Sequence, residues 1–508
     1  MEETKYLYGA AVQGIQSFIF QTNELKDIVG ASELVERICT DAFKEFEANR
    51  ELILGAAGNI KFVFNRKEDC EQAVLRFPKK VMEMAPGITI SQAVVSYIEK
   101  DDKAFQEAVD KLEHKLREQR NKPMNSITMG LIGMKRSPNT GMPGVKYIKE
   151  ELIDEATVAK RELLKEVKEN QVRKLCAKSF GLEYKDITDA KIAYNISDIT
   201  DKNDWIAIIH ADGNGLGQVV RKVGKNKKDF REFSGKLDLS TRKAANAAFD
   251  EVKGDFGITD QNKKRIPMRP VVLGGDDMTL ICRADIAVKY TKKFIESFEK
   301  ETQDNLGAII KRNNVFGDRD MLTCCAGIAF IKSSYPFYFG YKLAEQLCDR
   351  AKKDAKEEKR LNIHDGLAPS CLMFHKVQDS FIEQYEDIVK RELTPQPGYT
   401  FEYGPYYIHN EQGRWTVDRL LDSINLFETK KEKGNAVKTN LRQWMTVMHE
   451  DAGAAKQRAR RVVSLMDEKK DAELRELFKE VTNLGNDIQS FPVYDMLSLY
   501  TVINQRTK

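Results

Sequence analysis

The chain is short of the residues that would close it covalently or hold a soft metal. Its eight cysteines form no C-x-x-C pair and show no regular spacing, which excludes a disulfide framework and predicts no zinc site. Cys324-Cys325 sits inside an apolar run and Cys282 ends another, as small buried residues do in a reducing cytosol. The six histidines, at positions 114, 210, 364, 375, 409 and 449, are too scattered for a multi-histidine metal centre. The one His364-Asp365 dipeptide falls in a loop and reads as a turn. No apolar run approaches the roughly 18 residues of a membrane span, and the N-terminus, MEETKYLYGAAV, lacks the basic and apolar regions of a signal peptide. A soluble, cytoplasmic protein without membrane association is expected. With 82 basic against 78 acidic residues the net charge is only +4, so no global basic field demands a nucleic acid.

What is present centres on Arg269 to Arg283, RPVVLGGDDMTLICR. Two apolar runs flank Gly274-Gly275 and the adjacent carboxylates Asp276 and Asp277, the layout of a β-hairpin with acids at its tip. Neighbouring carboxylates repel one another, and a hard divalent cation relieves that repulsion; a solvated acidic turn is the plain alternative. Upstream, WIAIIHADGNGLG (205–217) is an apolar run ending on Asp212, followed by three glycines in five positions. One acid from the first strand of a palm and another from the neighbouring hairpin are what a two-metal site facing nucleotide phosphates needs. Helical periodicity over Phe230–Val252, Ala284–Lys300 and Phe337–Lys356, with a strand over Leu322–Ile331, completes a βαββαβ ferredoxin-like palm.

The same order precedes it: a strand over Lys5–Val12, a helix over Ser32–Phe46, strands flanking Gly58-Asn59, a helix over Glu68–Met84 and a strand over Ile88–Tyr97. LILGAAGNIKFVF lies over PVVLGGDDMTLIC at a spacing of roughly 200 residues, so the sequence predicts an internal duplication. The first copy lacks the acids. Asn59 and an apolar neighbour stand where Asp276 and Asp277 are, and Gln13 or Gly14 where Asp212 is expected. The predicted fold is α+β: two ferredoxin-like palms forming a pseudo-dimer, with a helical C-terminal domain. The boundaries fall at 1–130 (first palm), 131–200 (reduced insert and helical connector), 201–380 (second palm) and 381–508 (helical domain). Glu150–Lys178 is a charged helical connector that reads as a solvated face. The basic clusters Lys430–Lys433 and Lys456–Arg461 are either a binding surface or wet helix.

GIQSFIF, VGASELVERI, GNIKFVF, ADGNGLG, LGGDD and CAGIAFIKSSYPFYFGYKLAEQLCDRAK together resemble the large subunit of type III CRISPR effector complexes, a cyclic oligoadenylate synthase distantly related to GGDEF cyclases. The resemblance covers most of the first 375 residues. It implies a nucleotidyltransferase acting on ATP, with Asp212, Asp276 and Asp277 as catalytic metal ligands, the Gly213 carbonyl assisting, and two Mg2+ or Mn2+ ions. It also implies nucleotide contacts at Gly58 and Asn59 on the acceptor side, at the Gly274-Gly275 turn, and at Lys352 with Arg350 and Lys353 toward the donor triphosphate. Other effector subunits with guide and target RNA are implied as partners. Two departures stand out. The first palm starts within the first ten residues, where the family often carries an HD nuclease, so no DNA nuclease is expected. The stretch Ser137–Gly144 lacks the cysteines of the family's zinc insert. A stand-alone cyclase, a non-catalytic scaffold and a template-dependent polymerase remain open alternatives.

Overall fold

The computed structural model describes residues 4–22, 24–39, 42–43, 46, 50–56, 58–100, 102–122, 133–166, 171–188, 191–200, 204–223, 227–256, 265–379, 384–484 and 489–504. The first palm consists of β1 (Thr4–Gln13), α1 (Ile15–Ile19), α2 (Leu25–Cys39), β2 (Arg50–Ala56), β3 (Asn59–Phe64), α3 (Lys67–Met84), β4 (Thr89–Ile98) and α4 (Asp102–Arg120). Its antiparallel sheet runs β2-β3-β1-β4. Alternation along β1 divides two cores: Tyr8, Ala10 and Val12 join the main core, while Leu7 packs with Val63 and Val95 beneath Leu112 and Leu116 of α4. A strand that is apolar on both faces must be covered on both, and α4 supplies the second cover.

A hairpin, β5 (Gly144–Ile148) with β6 (Glu151–Asp154), leads into α5 (Glu155–Glu166) and α6 (Gln171–Phe180). Here the expectation of a solvated charged face holds at Glu155, Glu162 and Lys174, which are exposed, and fails at Lys160 and Arg161. Lys160 is fully buried, donates to the Phe18 carbonyl at 2.8 Å and lies 4.2 Å from that ring's centre; burial pulls its ammonium down to about 8. Arg161 grips Asp27 of α2 through two hydrogen bonds of 2.7 and 2.9 Å and reaches Glu151 at 2.9 Å. These two charges are consumed internally, tying the connector to the first palm. Residue counting assigns charge to solvent because it cannot see where the partners lie.

The second palm comprises β7 (Trp205–Asn214), α7 (Leu216–Val223), α8 (Lys227–Val252), β8 (Met268–Gly274), β9 (Asp277–Arg283), α9 (Ala287–Arg312), β10 (Thr323–Lys332) and α10 (Phe337–Ala355). After α11 (Glu358–Ile363), β11 (Cys371–Lys376) joins parallel to β10; α12 (Tyr385–Glu392) follows, and β12 (Tyr406–Tyr407) ends the six-stranded sheet β12-β11-β10-β7-β9-β8. The order β8-β9-β7-β10 repeats that of β2-β3-β1-β4, so the duplication extends to topology.

Register fixes the equivalences. Asp277 pairs across with Asp212 and Gly274, as Asn59 pairs with Ala11 and Ala56. Asn59 therefore corresponds to Asp277, Gly58 to Asp276 and Ala11 to Asp212. The expectation of Gln13 or Gly14 at the last position is corrected: Gly14 precedes α1 as Gly215 precedes α7. Sequence overlay slipped because neither strand end carries a shared side chain to anchor it.

The remainder is helical as expected: α13 (Val417–Thr429), α14 (Lys431–Glu450), α15 (Ala452–Leu465), α16 (Ala472–Val481) and α17 (Val493–Ile503). In the first basic cluster Lys430 pairs with Glu473 at 2.5 Å and Lys433 with Asp471, which lowers its pull on an outside anion. The two palms share one buried core. Phe20 stacks on Tyr341 with ring centres 4.3 Å apart, worth about 1 kcal/mol beyond area burial; the Ser32 hydroxyl donates to the Val271 carbonyl. All seven cysteines with described side chains are buried and free, and no described helix is long and apolar enough to cross a membrane.

Candidate active site

Asp212 lies near the end of β7, Asp277 opens β9, and Asp276 sits in the turn between β8 and β9. The turn needs Gly275, whose φ of 61° is left-handed. It is held from two sides: Thr241 of α8 donates to the Gly275 carbonyl at 2.5 Å, and Lys178 of α6 donates to the Leu273 carbonyl at 3.1 Å while pairing with Asp238 at 3.0 Å. Strand and turn approach so closely that a Cβ on Gly213 would stand 2.7 Å from the Cβ of Asp276. Any other residue at 213 would push the two acids apart.

One carboxylate oxygen from each of Asp212, Asp276 and Asp277 lies within 4.8 Å of the others, the one such potential metal-holding group among the described residues. Burial, and then the charge of Asp212, push the Asp276 carboxyl up to about 7. Burial, Asp276 and Asp212 raise Asp277 well above the usual carboxylate range. The Lys352 ammonium donates to Asp212 and, at 3.3 Å, to the Gly213 carbonyl. Burial works against that ammonium, but the charge of Asp212 prevails and holds it above the usual lysine range. One monovalent cation cannot offset three carboxylates. Hard oxygen donors this close, two of them reluctant to ionise, fit a divalent cation of the Mg2+ class.

Beside the triad a cavity of about 310 Å3 opens between the palms. Gly58 and Ile15 wall it from the first palm, and His210, Gly274 and Asp277 from the second. Helices α2 and α6 close it with Glu33 and Lys174, and α8 contributes Arg242.

Of the residues singled out from the sequence, Asp212, Gly213, Gly274, Gly275, Asp276, Asp277 and Lys352 come together, with Gly58 across the cavity. Asn59 is exposed at the start of β3 and is not part of the wall. Arg350 is turned away, its guanidinium held by Glu402 through two hydrogen bonds of 3.0 Å, and Lys353 is exposed.

Sequence reasoning missed His210, Lys174, Lys178 and Arg242. His210 carried a usable signal, since two residues before Asp212 on one strand means the same face. Its Nδ1 lies 3.3 Å from the Thr279 hydroxyl, and burial lowers its pKa, leaving a neutral ring. Among the described residues Arg242 has no hydrogen-bond or ion-pair partner, which leaves a cation facing a cavity beside an anionic cluster. Glu33 is pushed up to about 7 by burial despite Arg37.

Doubled βαββαβ units with a carboxylate triad on one copy place the chain among tandem-palm proteins. Within that class, residues 205–361 match the family model described as Cas10/Cmr2, second palm domain. Comparison with curated proteins finds no match. Among solved structures, the chain resembles the Csm1–Csm4 cassette in complex with pppApA at a TM-score of 0.58 and 13% identity, covering 99% of this chain and 69% of that one. The cassette with one ATP gives a TM-score of 0.57 at 13% identity over 99% and 70% of the two chains. The cassette with cA4 gives 0.55 at 14% over 100% and 70%. At such identities the likeness speaks for the fold. The family model and the fold together bear out the resemblance to the large subunit of type III CRISPR effector complexes.

Proposed function

We propose that the chain is a nucleotidyltransferase that joins ATP into cyclic oligoadenylates, second messengers of type III CRISPR antiviral defence, with two Mg2+ or Mn2+ ions. The observation that carries this reading is the acid triad at the edge of a cavity walled by both palms: a metal-capable tip and room for nucleotide share one place. The bond formed joins a ribose oxygen of the acceptor to the α-phosphorus of the donor, and the α–β anhydride breaks to release pyrophosphate. Bound divalent cations would supply charge neutralisation and a more acidic acceptor hydroxyl. Asp212, Asp276 and Asp277 would hold them, with the Gly213 carbonyl as a further oxygen donor. Lys352 and Arg242 offer cations to the phosphates, while neutral His210 offers a hydrogen-bonding edge to ribose or base. The acceptor nucleotide lies against Gly58, so the first palm contributes a pocket without a metal of its own.

The neighbours support this. Csm1 has been crystallised with Csm4 and AMPPNP, one ATP, pppApA, cA3 and cA4, and the two form a subcomplex of the type III-A CRISPR-Csm interference complex. By analogy this chain works in the cytoplasm with a Csm4-like subunit and guide and target RNA. The test is to incubate the purified chain with Mg2+ or Mn2+ and each nucleoside triphosphate, with and without such partners, and to resolve products by mass spectrometry. Cyclic oligoadenylates support the reading. Copying of a supplied template identifies a polymerase, and no product under any condition leaves a scaffold.

A further inference from the structure

The helix that delivers Lys352 to Asp212 is gripped from behind. Arg350 and Asp354, two residues to either side of Lys352 in α10, lie about 200° round the helix from it. Both are tied to one stretch of the C-terminal segment. Glu402 holds the Arg350 guanidinium bidentately. Asp354 accepts from the Tyr407 hydroxyl at 2.6 Å and from the Arg414 guanidinium, and Arg360 adds a third contact at 3.3 Å. Tyr407 is buried in β12 and paired in register with Cys371 of β11, so this stretch is anchored on the sheet that also carries Asp212. On the opposite face of α10, the Lys352 side chain is only 12% exposed and has few other places to go.

We propose that this clasp, Glu402 on Arg350 with Tyr407 and Arg414 on Asp354, is a positioning device, an inference that rests on reading Asp212, Asp276 and Asp277 as the metal ligands. It sets how closely Lys352 reaches Asp212, and so how strongly the ammonium competes with a divalent cation for that carboxylate. The five clasp residues lie outside both the acid triad and the cavity wall; they act through the lysine. Any partner that shifts the 402–414 stretch shifts the lysine with it.

The test is Mn2+ affinity of the full-length chain, measured by titration with electron paramagnetic resonance, with melting temperature in parallel. Asp354→Asn and Glu402→Gln each loosen α10 and tighten Mn2+ binding roughly fivefold, as does Lys352→Met, and Asp354→Asn adds nothing on top of Lys352→Met because contacting residues of one pathway are not additive. Should Asp354→Asn not fold, Glu402→Gln carries the same expectation. A clasp that merely fastens the C-terminal segment would lower the melting temperature with Mn2+ affinity unchanged, or act additively with Lys352→Met, and either result overturns the proposal. Asp276→Ala with Asp277→Ala serves as the control for the site. Mn2+ binding that survives it overturns the metal-site reading and the clasp with it, whereas binding lost there but unmoved by Lys352→Met overturns the clasp alone.

Discussion

Replacing Asp276 by asparagine separates what the site costs the fold from what it does. In the folded, metal-free protein the Asp276 carboxyl is pushed from its ordinary 3.8 to about 7, first by burial and then by Asp212. A raised carboxylate pKa favours the protonated folded form. Below the ordinary value both states hold the proton and nothing is lost; as pH climbs through the window from 3.8 to about 7 the unfolded chain releases its proton first, and stability falls. The full displacement is worth about 4 kcal/mol at 1.36 kcal/mol per pKa unit. Solvent reaches these part-exposed carboxylates, and screening leaves roughly half, about 2 kcal/mol. Asp276→Asn removes the titrating group while keeping its shape. In chelator, thermal melts from about pH 5 to about pH 8 should show the wild-type midpoint falling more steeply than the mutant's, with the mutant the more stable by about 2 kcal/mol at the alkaline end. Saturating Mg2+ should reverse the order, because only the wild type gains binding free energy. Equal slopes in chelator, or a mutant less stable than wild type at about pH 8, would refute the picture of mutually repelling carboxylates.

Asp276→Ala with Asp277→Ala should abolish nucleotide joining, by several powers of ten, while leaving the circular dichroism spectrum unchanged. Arg242→Ala removes a cation with no partner among the described residues, so the melting temperature should hold while the apparent ATP requirement rises roughly tenfold, the scale of one lost charge-assisted hydrogen bond. Gly58→Ala places a Cβ 2.3 Å from Cδ1 of Ile15 at a φ of 76°; it should lower the melting temperature and raise the ATP requirement together, whereas Asn59→Ala, outside the cavity wall, should change neither by much. Mn2+ affinity at the triad should rise from about pH 6 to about pH 8 as the raised carboxyls ionise, and calorimetric titration reads this directly.

The acid tip was legible because its parts are local: glycines where a turn and a close approach need them, and acids next to them in the chain. The duplication was legible because strand and helix lengths repeat. Arg350 misled because proximity in sequence is not proximity in space; 200° of helix separates it from Lys352, and only one of the two can face the site. Lys160 and Arg161 misled because their partners, Phe18 and Asp27, lie more than a hundred residues away. Arg242 and Lys174 were invisible because they become site residues only when α8 and α6 meet across the gap between the palms. Local chemistry can be read along a chain, whereas a cavity walled by elements scattered along it cannot.

The crowding at Gly58 bears on the history of the chain. Two identical subunits that meet face to face must accept every mutation twice, and so stay alike. Once fused, each half drifts alone. Gly58 stands where its twin has Asp276, with the Ile15 side chain now filling the space that a carboxylate there would need, and Ala11 stands where its twin has Asp212. Restoring an acid at 58 would require clearing Ile15 first, and restoring the second acid would gain nothing until the first was in place. On the proposed function the asymmetry works as a ratchet: the first half is free to refine the holding of one nucleotide, and with each refinement the road back to two equal catalytic halves grows longer.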